Sequence, residues 1–180
     1  MNQLMDRREA LRKTALLMGA AVSATALAGI MQGCKATPEL TYVPSFFTEE
    51  QARIISELAQ TIIPKTDTPG AKEAGVPGFI DQILKECYKK EDQDKFITGL
   101  TEFDAAAKAA HGDSFIYLDP EKQLAFVKAQ NEAAVNAVKA DPSQPRPFIL
   151  SAKELTLLGF FTSEPGATQV LQYEAVPGSY

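Results

Sequence analysis

Three sets of residues have the types and spacing to do chemistry. The first is Gly33-Cys34, which closes an uncharged run over residues 14–30 that follows the basic stretch Arg7-Arg8-Glu9-Ala10-Leu11-Arg12-Lys13. Met31-Gln32-Gly33-Cys34 fits a lipoprotein processing box, in which the Cys34 thiol is acylated. The adjacent pair Arg7 and Arg8 fits the address of the twin-arginine route, which exports proteins already folded. The apolar run is about 17 residues long, at the lower edge of what spans about 30 Å of hydrocarbon, and Ser23 and Thr25 interrupt it, which favours a removed signal over a permanent anchor. An ordinary secretory signal cleaved after Ala28, in Ala26-Leu27-Ala28, is the alternative.

The second set is the carboxylates Asp67, Glu73 and Asp81 around the turn Thr66-Asp67-Thr68-Pro69-Gly70. Converging, they would suit acid/base work or a hard cation. Apart, Asp67 between two threonines suits an Asx-turn that locks the loop. The third set is small: one histidine, His111, and, beside Cys34, one further cysteine, Cys87. His111 precedes Gly112 at an expected helix end, where a cation complements the helix dipole. Cys87 falls on the apolar face of an expected helix and reads as a buried free thiol, with a bridge to another subunit as the alternative. One His and one spare Cys do not assemble a zinc or haem site. Cys-x-x-Cys-His, Gly-x-Gly-x-x-Gly and Gly-x-Ser-x-Gly are all absent from the sequence. The expectation is therefore a chain with no catalytic, cofactor or metal residues of its own.

The elements that must position these residues are helical. Three regions are expected: a signal over 1–33, a tether over 34–47 containing Pro38 and Pro44, and one domain over 48–180. Thr48 and Gln51 form a capping box for a helix with Ile54, Ile55, Leu58 and Ile62 on one face, stopped by Pro64. Thr68-Pro69 opens a short helical turn. A second helix starts near Pro77 with Phe79, Ile80, Ile83, Leu84 and Cys87 in one stripe. A third runs over 91–110 with Phe96, Leu100, Phe103 and Ala107 inward and Gly112 as its stop. A fourth opens at Asp119-Pro120, with Leu124, Val127, Val135 and Val138 inward. Ser151 and Glu154 suggest a capping box for a fifth through Leu155, Leu158 and Phe161, and a last short helix is expected over 167–174. No sustained alternation of strands occurs. The fold class is all-α, a compact helical orthogonal bundle of five to six helices. Residues 34–180 carry 14 Lys/Arg and 21 Asp/Glu, a net of −7, which disfavours nucleic acid and other phosphate partners.

The string Ile62-Ile63-Pro64-Lys65-Thr66-Asp67-Thr68-Pro69-Gly70-Ala71, continuing through Ala74-Gly75-Val76 to Phe79-Ile80-Asp81, resembles the motif of the gluconate 2-dehydrogenase subunit 3 family. A second block agrees: Gly159-Phe160-Phe161-Thr162-Ser163-Glu164-Pro165-Gly166, then Leu171-Gln172-Tyr173 and Val176-Pro177-Gly178-Ser179-Tyr180. The resemblance covers residues 48–180. It implies a small non-catalytic subunit on the periplasmic face of a bacterial membrane, which escorts a large FAD-dependent sugar, sugar-acid or polyol dehydrogenase subunit through the twin-arginine translocase. A third subunit carrying haem c as electron acceptor is also implied. Lipid on Cys34 would hold the complex to the membrane, although such an anchor is not general in the family.

Two segments, 64–71 and 162–180, combine turn chemistry with apolar or aromatic residues. As docking surfaces they would offer Thr66, Asp67, Thr68, Pro69 and Gly70, with Tyr173 and Tyr180 as aromatic anchors. Alternatively these loops only join helices and Tyr173 is core. A different class of function also remains open: a free-standing envelope lipoprotein that binds a small ligand or scaffolds other proteins.

Overall fold

The computed structural model describes residues 37–171 with 173, 174, 176 and 178. Arg7, Arg8, Cys34 and Tyr180 lie outside the described residues. Those described form five α-helices and no strand: α1 (Glu49–Ile62), α2 (Val76–Cys87), α3 (Lys90–His111), α4 (Pro120–Ala140) and α5 (Phe148–Thr162). A 3-10 turn at Phe115–Tyr117 and a π-helical turn at Gly166–Val170 complete the set. None of these helices is long and apolar enough to cross a membrane.

Local chemistry sets most of the boundaries. Thr48 Oγ1 accepts from the Gln51 amide at 3.3 Å and Gln51 Oε1 accepts from the Thr48 amide at 3.0 Å, the capping box expected from the sequence. α2 carries a proline in its first turn, and α3 ends at Gly112, which is left-handed with φ 81°. Asp119 precedes α4, as expected, although its carboxylate pairs with Lys122 at 3.1 Å.

α5 is the central element and packs against each of the other four helices. A chain of rings runs through the core beside it. Phe96 and Phe148 meet edge to face at 5.0 Å, and Phe103 meets Phe148 at 5.7 Å, Phe115 at 5.0 Å and Phe126 at 5.1 Å. Such pairs add about 1 kcal/mol each beyond their burial. The stripe of α3 is as expected, with Phe96, Leu100, Phe103 and Ala107 all buried.

Several expectations are corrected. α5 begins at Phe148, a turn before Ser151, because Phe148 and Ile149 themselves pack into the core; Glu154 pairs with Arg146 at 2.7 Å instead of closing a capping box. Its inward residues include Leu155 and Phe160, whereas Leu158 and Phe161 are exposed. On α4 the buried face is Gln123, Phe126, Val127 and Ala134, and Leu124 is exposed. Gln123 takes a core position because its side-chain amide donates to the Phe115 carbonyl at 3.0 Å. Cys87 is exposed because Leu84 is the last buried residue of α2, so the stripe outruns the core. The last helix is shorter than expected and ends before Leu171. Residues 37–47 carry no helix, but they are not a free spacer: Leu40, Tyr42 and Phe46 pack on the core and Phe47 is buried.

Candidate functional site

The turn containing Thr66, Asp67, Thr68, Pro69 and Gly70 links α1 to α2 and is braced from both sides. The Thr66 amide donates to the Thr68 carbonyl at 3.1 Å, and the Ala71 amide returns to the Ile63 carbonyl at 2.9 Å. Glu73 binds the Lys65 ammonium at 2.5 Å and accepts from the Gly70 amide at 3.2 Å. The Glu73 carboxyl is held below its ordinary range by the Lys65 hydrogen bond first and the Gly70 amide second. Lys72 is tied back to α1 twice, its amide to Gln60 Oε1 at 3.0 Å and its ammonium to Glu57 at 2.5 Å. The lock expected of Asp67 is thus supplied by Glu73, while Asp67 is exposed and bonds to no other described side chain or backbone group.

Gly70 is required by close approach: a Cβ there would lie 2.6 Å from Gln60 Nε2 and 2.7 Å from the Lys65 amide nitrogen. Because one of those atoms is backbone, Gly70→Ala is expected to cost about 2 kcal/mol through overpacking. Thermal unfolding followed by circular dichroism checks it; an unchanged midpoint would show that Gln60 simply swings away.

Asp67, Glu73 and Asp81 do not converge. Asp81 lies on α2 and is only 2% exposed. Its Oδ2 accepts from the Ser45 amide and hydroxyl, both at 2.8 Å, and its Oδ1 from the Phe47 amide at 2.9 Å, with the Phe46 amide shared between the two oxygens at 3.1 and 3.2 Å. Burial pushes this carboxyl up, but the hydrogen bonds from 45–47 outweigh it and hold it below the usual range. The group is a clamp that fixes residues 45–47 onto α2. Beside it Tyr42 has its phenol raised, by burial first and then by the negative charge of Asp81.

Asp104 on α3 does similar work. It accepts from the Ser114 hydroxyl at 2.6 Å and the Phe115 amide at 2.9 Å, and pairs with Lys108 at 2.8 Å. His111 sits exposed in the last turn of α3 with its ring 5.8 Å from that of Phe126, edge on. An open groove of about 1070 Å³ lies along α3, α4 and the start of α5, with Tyr88, Phe96 and Phe148 among its walls. Part of its charged rim is paired, Lys95 with Asp92 at 3.0 Å and Arg146 with Glu154. Among the described residues, no three of His, Cys, Asp and Glu gather as metal ligands.

The two blocks singled out from the sequence meet in space. The Phe79 ring, from the first, lies against Gly159, from the second, close enough that a Cβ on Gly159 would be 2.6 Å from it. Tyr173 is 66% exposed, which removes the reading of it as core. The apolar residues of α5 that face outward were missed by sequence reasoning, because from Leu155 to Phe161 apolar residues occur on every side of the helix and give no signal of which side is covered.

Among known protein families, residues 49–178 match the one described as Gluconate 2-dehydrogenase subunit 3. No curated protein and no solved structure matches.

Proposed function

The chain belongs to the gluconate 2-dehydrogenase subunit 3 family, an accessory component of a dehydrogenase complex, and we propose that it is the non-catalytic escort that takes the catalytic subunit across a bacterial membrane. The family match over nearly the whole described domain carries this reading. The geometry supports it, because two of the three candidate carboxylates are spent on structure, Glu73 bracing a turn and Asp81 holding backbone amides, and neither converges with exposed Asp67. On this reading the large subunit binds FAD and oxidises a sugar, sugar acid or polyol, and a haem c subunit accepts the electrons. This chain contributes Arg7 and Arg8 as the twin-arginine address and Cys34 as the lipidated anchor on the periplasmic face. The braced turn at Thr66, Asp67, Thr68, Pro69 and Gly70 offers a preorganised edge for docking, and exposed Tyr173, with Tyr180, offers aromatic anchors.

Arg7→Lys with Arg8→Lys preserves the charge of the signal and removes the arginine pair. Both this chain and the flavoprotein are then expected to stay in the cytoplasm, followed by fractionation and by dehydrogenase activity on intact cells. Export of both chains at the wild-type level by the double-lysine form would overturn the escort reading.

A further inference from the structure

α5 buries one side against the other four helices, and its outward side is charged only in its first half, at exposed Lys153 and Glu154. Leu157, Leu158 and Phe161 remain 37%, 44% and 39% exposed, and their spacing of i, i+1 and i+4 puts them on one stripe. An apolar stripe left open beyond the charged turn of a helix marks an interaction surface. The stripe continues into the next segment. The Ser163 hydroxyl donates to the Phe160 carbonyl at 2.6 Å, the Gly166 amide donates to Ser163 Oγ at 3.2 Å, and the π-helical turn packs back on α5. Gly166 permits this return, since a Cβ there would sit 1.9 Å from the Phe160 carbonyl oxygen. Beyond the turn, Val170 and Leu171 are 42% and 48% exposed and Tyr173 follows.

Charge selects among the surfaces that could cover such a face. Beyond Leu157 the charged side chains are Glu164 and Glu174 alone, while one turn earlier on the same side Lys153 donates to Asn131 Oδ1 at 3.2 Å. Glu154 is answered by Arg146, whereas Glu164 and Glu174 are exposed. A second copy related by a two-fold axis would bring the same acidic patch to both sides of the contact. An anionic lipid surface would be repelled for the same reason. A different protein chain with an apolar patch edged by Lys or Arg satisfies both features.

We infer that the outer stripe of α5 together with Val170, Leu171 and Tyr173 forms one docking face, and that its occupant is an apolar, basic-edged surface of the dehydrogenase subunit. The inference rests on the proposed function and deepens it by naming the face and the chemistry of the partner.

The test uses the full chain, tagged, in cells that make the whole complex, with copurified FAD absorbance and dehydrogenase activity as readouts. Leu158→Glu combined with Phe161→Glu is expected to lower both about tenfold or more, because buried apolar anchors carry most of an interface's affinity, while the helical spectrum is unchanged. Glu164→Lys combined with Glu174→Lys is expected to weaken copurification and to reduce its sensitivity to salt; should the first variant fail to fold, this pair decides. Wild-type chain that brings down no flavoprotein would sink the proposed function, and the inference with it. Wild-type recovery of flavoprotein that both variants match would overturn the inference alone. A self-associated wild-type chain that Leu158→Glu with Phe161→Glu converts to monomer, without change in copurified FAD, would likewise overturn it.

Discussion

Replacing Asp81 by alanine is expected to cost the domain about 3 kcal/mol and to lower its thermal midpoint by about 10 °C at neutral pH. The carboxylate is buried and takes hydrogen bonds from three successive backbone amides and the Ser45 hydroxyl. Removing it leaves those amides facing a cavity while Phe46 and Phe47 remain packed on the core. Hydrogen bonds to a charged group are each worth about 1.5–3 kcal/mol, and orphaned buried donors add their own desolvation cost. Asp81→Asn should recover little, because its amide nitrogen presents donors to donors. Circular dichroism melts check the magnitude, and cleavage between residues 37 and 47 under limited proteolysis checks the location. A shift of less than about 3 °C would mean that water satisfies the three amides as well as the carboxylate does.

The second large effect is expected at Asp104. Asp104→Ala should cost about 3 kcal/mol, since it leaves the buried Ser114 hydroxyl and Phe115 amide without their acceptor in a part of the core where Phe115 is fully enclosed. Lys108→Ala should cost less than about 1 kcal/mol, because the ammonium is half-exposed and its pairing is screened. Equal losses in the two variants would show that the ion pair, not the capping of the 3-10 turn, is what Asp104 contributes. Chemical denaturation of each variant distinguishes these outcomes.

Both aspartates set the sign of the acid response. Burial raises each carboxyl, but hydrogen bonds win and leave each below its ordinary value: Phe47, Ser45 and Phe46 for Asp81; Lys108, Ser114 and Phe115 for Asp104. A lowered folded value means that the stabilisation is complete above the unfolded carboxylate range, near pH 4, and fades as pH falls through the folded values below it. The difference between wild type and Asp81→Asn should accordingly narrow in acid and be constant from pH 6 to 8.

Much of the scaffold was legible in the residues. Thr48 with Gln51, Pro77, Gly112 and Asp119-Pro120 mark ends whose chemistry is local, and the structure places helix ends at them. The stripe of α3 was legible because its large apolar residues Phe96, Leu100 and Phe103 recur at helical spacing. α4 and α5 were misread in rotation for opposite reasons. On α4 a polar residue, Gln123, faces inward because a distant carbonyl accepts from it. On α5 apolar residues occur on every side, so periodicity could not say which of Leu155, Leu158, Phe160 and Phe161 face the core.

The sequence by itself determined the helical class, the family and most helix boundaries, because caps, proline and glycine act within a few residues of themselves. The tertiary structure alone decided what depends on partners far along the chain. Asp81, which had looked like a candidate ligand beside Asp67 and Glu73, is committed to amides more than thirty residues earlier. Residues 37–47, which read as part of a tether, are held to the domain by that same carboxylate and by Leu40, Tyr42, Phe46 and Phe47. Burial is a property of what the rest of the chain brings alongside, and so the outward stripe of α5 became visible only once its four neighbours were in place around its other side.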